Sequence, residues 1–97
     1  MTTHVLGARP DSIRVASGSA AITEVDYIIK VTGVGTTHTL PSAVGLDGAV
    51  FIIDNASAGG ITVDTTAAQT IQGQLTQTLG PDSAMAVYSD GANWRIF

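Results

Sequence analysis

The sequence predicts an all-β fold: a small antiparallel β-sandwich or barrel, preceded by an N-terminal arm. Three observations carry that expectation. Eleven glycines and three prolines are spread along 97 residues, which leaves little room for an uninterrupted helix. The intervals between them are rich in Val, Ile and Thr, whose branched side chains lose freedom in a helix and suit a strand. Those intervals recur about every 8–12 residues, with Gly, Pro, Asp and Ser at the joints, as in a chain of short strands and turns. Even the long stretches free of Gly and Pro, Ala20 to Thr32 and Ile61 to Gln72, carry no sustained i, i+3, i+4 apolar stripe.

Taken in order, residues 1 to 11 read as an arm, and Asp11 to Val15 as a first short strand with Ile13 and Val15 on one face. Ser17 to Ala20 is a turn. Ala21 to Val31 holds one or two strands bent near Glu24 and Asp26, with Tyr27, Ile29 and Val31 sharing a face. The arm and its strands therefore span residues 1–26, and a core module spans 27–97. Gly33-Val34-Gly35 reverses the chain into a strand over Thr36 to Leu40, which Pro41 ends. After the loop Pro41 to Gly48, the apolar run Ala49 to Ile53 has the pattern of a central strand buried on both faces. Ile61 to Asp64 alternates as a half-buried strand, and Ile71 to Gly73 and Gln77 to Leu79 are short strands around Gly73. Ser83 to Ser89 alternates again, with Met85 and Val87 on one face and Ala84, Ala86 and Tyr88 on the other. Asp90-Gly91 then supplies residues that tolerate positive φ in a tight reversal. Trp94 and Ile96 share a face of the closing strand, where the chain's single Trp can close one end of the core.

Composition narrows the class. Only 12% of residues are charged, against roughly 25% for ordinary soluble domains. No cysteine is present to staple the fold. A domain this small buries only roughly 60–65% of its unfolded surface when alone, so shared burial in an oligomer is expected. The net charge of −4 argues against a nucleic-acid partner, which requires a basic patch to displace counterions. No apolar run approaches the roughly 18 residues of a membrane span, and the N-terminus lacks a secretory pattern. The expected protein is soluble and made in the cytoplasm.

No constellation of residues reads as catalytic, and no cofactor or metal is expected. Asp90-Gly91-Ala92-Asn93 has calcium-ligand residue types, but a lone Asp-Gly-x-Asn between strands reads as a reversal, since calcium takes about 6–8 oxygens. Glu24 and Asp26, two apart, read as a solvated face rather than a glycosidase pair, which sits about 5–10 Å apart across a cleft. His4 and His38 are the only histidines; His38 reads as a surface residue on a strand rather than one third of a metal site on a trimer axis. Gly33-Val34-Gly35 is followed by no helix that would aim at a phosphate, and Asn55-Ala56-Ser57 matches a glycosylation acceptor only by chance.

The order of short segments adds a resemblance. Tyr27-Ile-Ile-Lys-Val31, Thr39-Leu40-Pro41 with Gly45, Val50-Phe-Ile-Ile-Asp-Asn55, Ile61-Thr-Val-Asp64, Ile71-Gln72-Gly73 and Ser89-Asp90-Gly91-Ala92-Asn93-Trp94 together resemble a β-module of tailed-bacteriophage virion proteins. The resemblance runs from about Tyr27 to Phe97, and Leu40, Pro41, Gly45, Gly73, Asp90, Gly91, Asn93 and Trp94 carry its signature. It implies a non-enzymatic structural protein, usually a homotrimer. With the module filling most of the chain, it implies a capsid decoration (cement) protein that sits on the outer head surface and clamps neighbouring copies of the major capsid protein. In that reading the arm, with His4, Arg9 and Arg14, contacts the capsid, because two of the four basic residues fall in the first fifteen positions. A tail-fibre or tailspike protein for host attachment is the alternative in the same class, and a carbohydrate-binding, lectin-like module the alternative outside it.

Overall fold

The structure, a computed structural model, describes residues 12–97. The expected arm over 1–11, including His4 and Arg9, lies outside the described residues. The described residues form nine strands and no helix. They are β1 (Ile13–Ala16), β2 (Ala20–Ala21), β3 (Ile28–Val31), β4 (Thr37–Thr39), β5 (Val50–Asn55), β6 (Ile61–Asp64), β7 (Thr76–Leu79), β8 (Ser83–Ser89) and β9 (Trp94–Ile96). Two sheets face one another, one of five strands in the order β1-β3-β5-β8-β9 and one of four in the order β2-β4-β6-β7. The all-β expectation holds.

The antiparallel expectation is corrected. β1, β3 and β5 are parallel, as are β2, β4 and β6; only β7, β8 and β9 pair antiparallel. Successive strands alternate between the sheets, so the first six wind three stacked coils, and the last three close the stack. A parallel neighbour needs a crossover, usually made by a helix. Here a strand of the opposite sheet makes it, so the topology leaves no helical mark in the sequence.

The coils stack at their corners. The Thr32 amide donates to the Ala16 carbonyl, Ala56 to Val31, and Gly35 to Gly60. Gly33 is obligatory at one corner, because a Cβ there would lie 2.1 Å from the Ser17 carbonyl oxygen. Ile13, Ile28 and Ile52 stack in register although they are unevenly spaced in sequence. That unevenness is why no repeat of fixed period is visible.

Ile29, Val31, Phe51, Ile53, Val87 and Trp94 of the larger sheet meet Ile61, Val63 and Leu79 of the smaller one in a buried core. Each such side chain contributes about 1.5–3 kcal/mol of burial free energy. Met85 and Val87 face inward while Ala84, Ala86 and Tyr88 face outward, as the alternation requires. β5 is central, flanked by β3 and β8. It is buried on one face only: Val50, Ile52 and Asp54 are half-buried on the outside, so the expectation of burial on both faces is corrected. Ile71 forms isolated bridges to Gln74 and Trp94 rather than a strand.

Candidate functional site

Leu40, Pro41, Asp90, Gly91, Asn93 and Trp94 of the signature set lie at one junction of three loops. Leu40 is fully buried, and the Pro41 carbonyl accepts a hydrogen bond from Trp94 Nε1 at 3.2 Å. The Trp94 ring meets Phe51 edge-on, with centroids 5.5 Å apart. Ser89 Oγ donates to the Ala43 carbonyl at 2.6 Å, and the Ala43 amide donates to Gln69 Oε1 at 2.9 Å. Asn93 Oδ1 accepts from the Thr70 amide. The loops 41–48, 65–70 and 90–93 are thereby tied through side chains, which satisfies buried backbone groups that no strand reaches.

Asp90 to Asn93 is a reversal, as the residue types imply. The Asp90 carboxylate accepts from the Ala92 and Asn93 amides at 3.0 and 2.8 Å, and the Asp90 amide donates to the Asn93 carbonyl. The Asn93 and Ala92 amides hold the Asp90 carboxyl below the usual carboxylate range. Gly91 takes the positive φ of the turn, at 97°. Gly45 and Gly73 also have positive φ, so the three signature glycines share one backbone requirement.

Glu24 and Asp26 do not form a common solvated face, which corrects that expectation. They lie in the connection between β2 and β3, and Asp26 is buried while Glu24 is exposed. Arg14 points inward at the first coil, stacked on Ile29, and forks onto Asp26 with its Nε and Nη2 each 2.9 Å from a carboxylate oxygen. Its Nη2 also donates to the Ala21 carbonyl, and Thr23 donates its amide and hydroxyl to Asp26. Burial pushes the Asp26 carboxyl up, but the Arg14 and Thr23 hydrogen bonds outweigh it and leave it below its ordinary value. Among the described residues, this pair closes the polar end of the core beside the first coil.

His38 is fully buried, which overturns the surface reading. It faces the core between Ala20 and Val63 in register. The single Thr36 hydroxyl proton goes to the Gly33 carbonyl, so His38 Nε2, 2.8 Å away, donates to Thr36 Oγ1. That leaves Nδ1 as a lone pair in the core with no partner among the described residues. Burial, and then the Arg14 charge, lower the His38 pKa.

Protonating His38 would place an N–H where the described residues offer no acceptor, and that carries a sign. The unfolded chain takes up the proton below pH about 6.5, whereas the folded chain resists it. Stability is therefore complete above about pH 6.5 and falls as pH drops from there towards the folded pKa, by up to about 1.4 kcal/mol per unit. Urea midpoints of the wild type should decline between pH 7 and 5. His38→Gln should flatten that decline, and an equal slope in both proteins would refute the assignment.

The outer faces of the two sheets differ sharply. The smaller sheet presents Thr37, Thr62 and Thr78 in one row and Thr39, Asp64 and Thr76 in the next. The larger presents Ile13, Ile28, Ile52 and Ala86 in register, continued by Phe97, whose amide donates to the Ala86 carbonyl. The described residues enclose no pocket and contain no group of three or more metal-ligating side chains. Comparison with protein-family models, with curated proteins and with solved structures finds no match to this chain.

Proposed function

We propose that the chain is a bacteriophage virion structural protein: a homotrimeric decoration protein on the outer head surface that clamps neighbouring major capsid subunits and stabilises the shell. It is made in the host bacterial cytoplasm and assembles onto the virion, and its role is mechanical rather than catalytic. One observation carries the reading. Six of the residues that carry the resemblance to the phage module, Leu40, Pro41, Asp90, Gly91, Asn93 and Trp94, serve one structural junction, which supports reading them as parts of a single module. The charge-poor composition adds to it, since a small domain of this kind is well served by burial against copies of itself and against a lattice.

Binding many copies to the assembled lattice stabilises it by mass action. Arg14 is spent on Asp26, so the test of capsid contact falls on Arg9 and His4. Mixing the purified protein with undecorated shells and imaging them by electron cryomicroscopy should show added density at local threefold positions. Arg9→Ser together with His4→Ser should reduce occupancy at least several-fold. Absence of density on the head, with labelling of tails instead, would transfer the role to a tail-fibre protein.

A further inference from the structure

We infer that the outer face of the five-stranded sheet is the surface through which copies of this chain associate. The inference rests on the self-assembly part of the proposed function and names its surface. Across the sheet, Ile13, Ile28, Ile52, Ala86 and Phe97 form a continuous apolar row, with one residue from each of β1, β3, β5 and β8 and the last just beyond β9. Val15, Val50 and Tyr88 widen it, and Tyr88 packs edge-on against Phe97. At the two ends of the row, Ile13 is 63% exposed and Phe97 69%.

Charge decides the occupant. The chain is net −4, so two copies repel unless they meet where the cations are. Of the four basic residues, Lys30 and Arg95 both stand on this face. Asp54 lies beside Lys30 in register, so the face carries both signs, and around a threefold axis Asp54 of one copy can meet a cation of the next. Glu24, Asp47, Asp64, Asp82 and Asp90 lie in connections or on the other sheet. Five strands about 4.8 Å apart and about 17 Å long present roughly 400 Å² in projection. That is about half of the roughly 800 Å² each partner gives to a standard interface, before the relief of the side chains is added. A partner of strong single charge would leave either Asp54 or the two cations opposed by like charge; a second copy does not.

The test is the mass of the full chain in solution, by sedimentation equilibrium and native mass spectrometry. The wild type is expected as a trimer. Ile52→Glu at the centre of the face should yield monomers, and so should Ile13→Lys combined with Phe97→Ser, whose exposed positions keep the folding cost small. Both should retain the strand signal in circular dichroism. Thr62→Lys on the opposite sheet should stay trimeric. A trimer that survives both face variants but dissociates in Thr62→Lys overturns this inference and leaves the trimer standing. A wild-type dimer broken by the face variants supports the face and removes the trimer. A wild-type monomer overturns both.

Discussion

Replacing Trp94 with Ala is expected to destabilise the fold by about 3–5 kcal/mol, the range for truncating a buried Phe or Trp. That is a large share of the roughly 5–15 kcal/mol that holds a domain together. Three losses coincide. The indole is fully buried at the start of the last strand, so its removal opens a cavity beside Phe51. The Pro41 carbonyl loses its 3.2 Å donor. The Trp94 amide and carbonyl, which pair with Thr70 and Gln72, lose the side chain that presses them into place. Trp94→Phe separates these terms in part: it keeps a six-membered ring in the core while losing the indole N–H and the rest of the bicycle, for a smaller cost of about 1–3 kcal/mol. Urea titration followed by far-ultraviolet circular dichroism measures both, since the fluorophore itself is lost. A Trp94→Ala cost below about 1 kcal/mol would mean that the three-loop junction is not held from this residue.

The strand content of this chain was legible because alternation and turn residues are local signals. Ser83 to Ser89 and Ile61 to Asp64 coincide with β8 and β6, and the Asp90-Gly91 reversal is formed by the residues that favour it. Strand direction was not legible. Asn55 to Gly60 has the composition of a hairpin turn, yet it arches between sheets, because Asn55 holds the corner open with its own amide group. The inward register of Arg14 was hidden for a related reason. A charged residue between Ile13 and Val15 reads as the solvent face, and only the turn at Thr23 to Asp26 brings its counter-ion to the coil end. His38, set between two threonines, gave the same false alternation: here the threonines are the outer face and the histidine is core. In the first case the apolar Ile13 and Val15 stand on the outer face, so period-2 alternation marked the wrong side; in the second the strand is polar throughout and no apolar member marked the inside.

Asn55→Ala is expected to cost about 2–4 kcal/mol, on the basis of about 1–3 kcal/mol for each buried group left without a partner. The side chain is fully buried at the end of the central strand. Its Nδ2 lies 2.8, 3.0 and 2.9 Å from the carbonyls of Gly59, Leu79 and Gly80, so two protons are shared among three acceptors. Its Oδ1 accepts from the Ser57 amide at 3.0 Å and from Ser57 Oγ at 2.6 Å. One side chain thus joins the β5–β6 corner to the end of β7, linking the last parallel coil to the antiparallel strands that close it. Alanine leaves the backbone path possible but strips the corner of its donors, and water has little access to replace them. Asn55→Asp tests the donors alone. It nearly preserves shape but faces three carbonyl oxygens with a carboxylate, so at pH 7 it should destabilise more than alanine does, because a buried charge is added to the lost bonds. Chemical denaturation of the three proteins orders them. If Asn55→Asp proved as stable as the wild type, the amide would not be the tie between the coils and their closing strands, and the corner's shape would have to come from Gly59 and Gly60 instead.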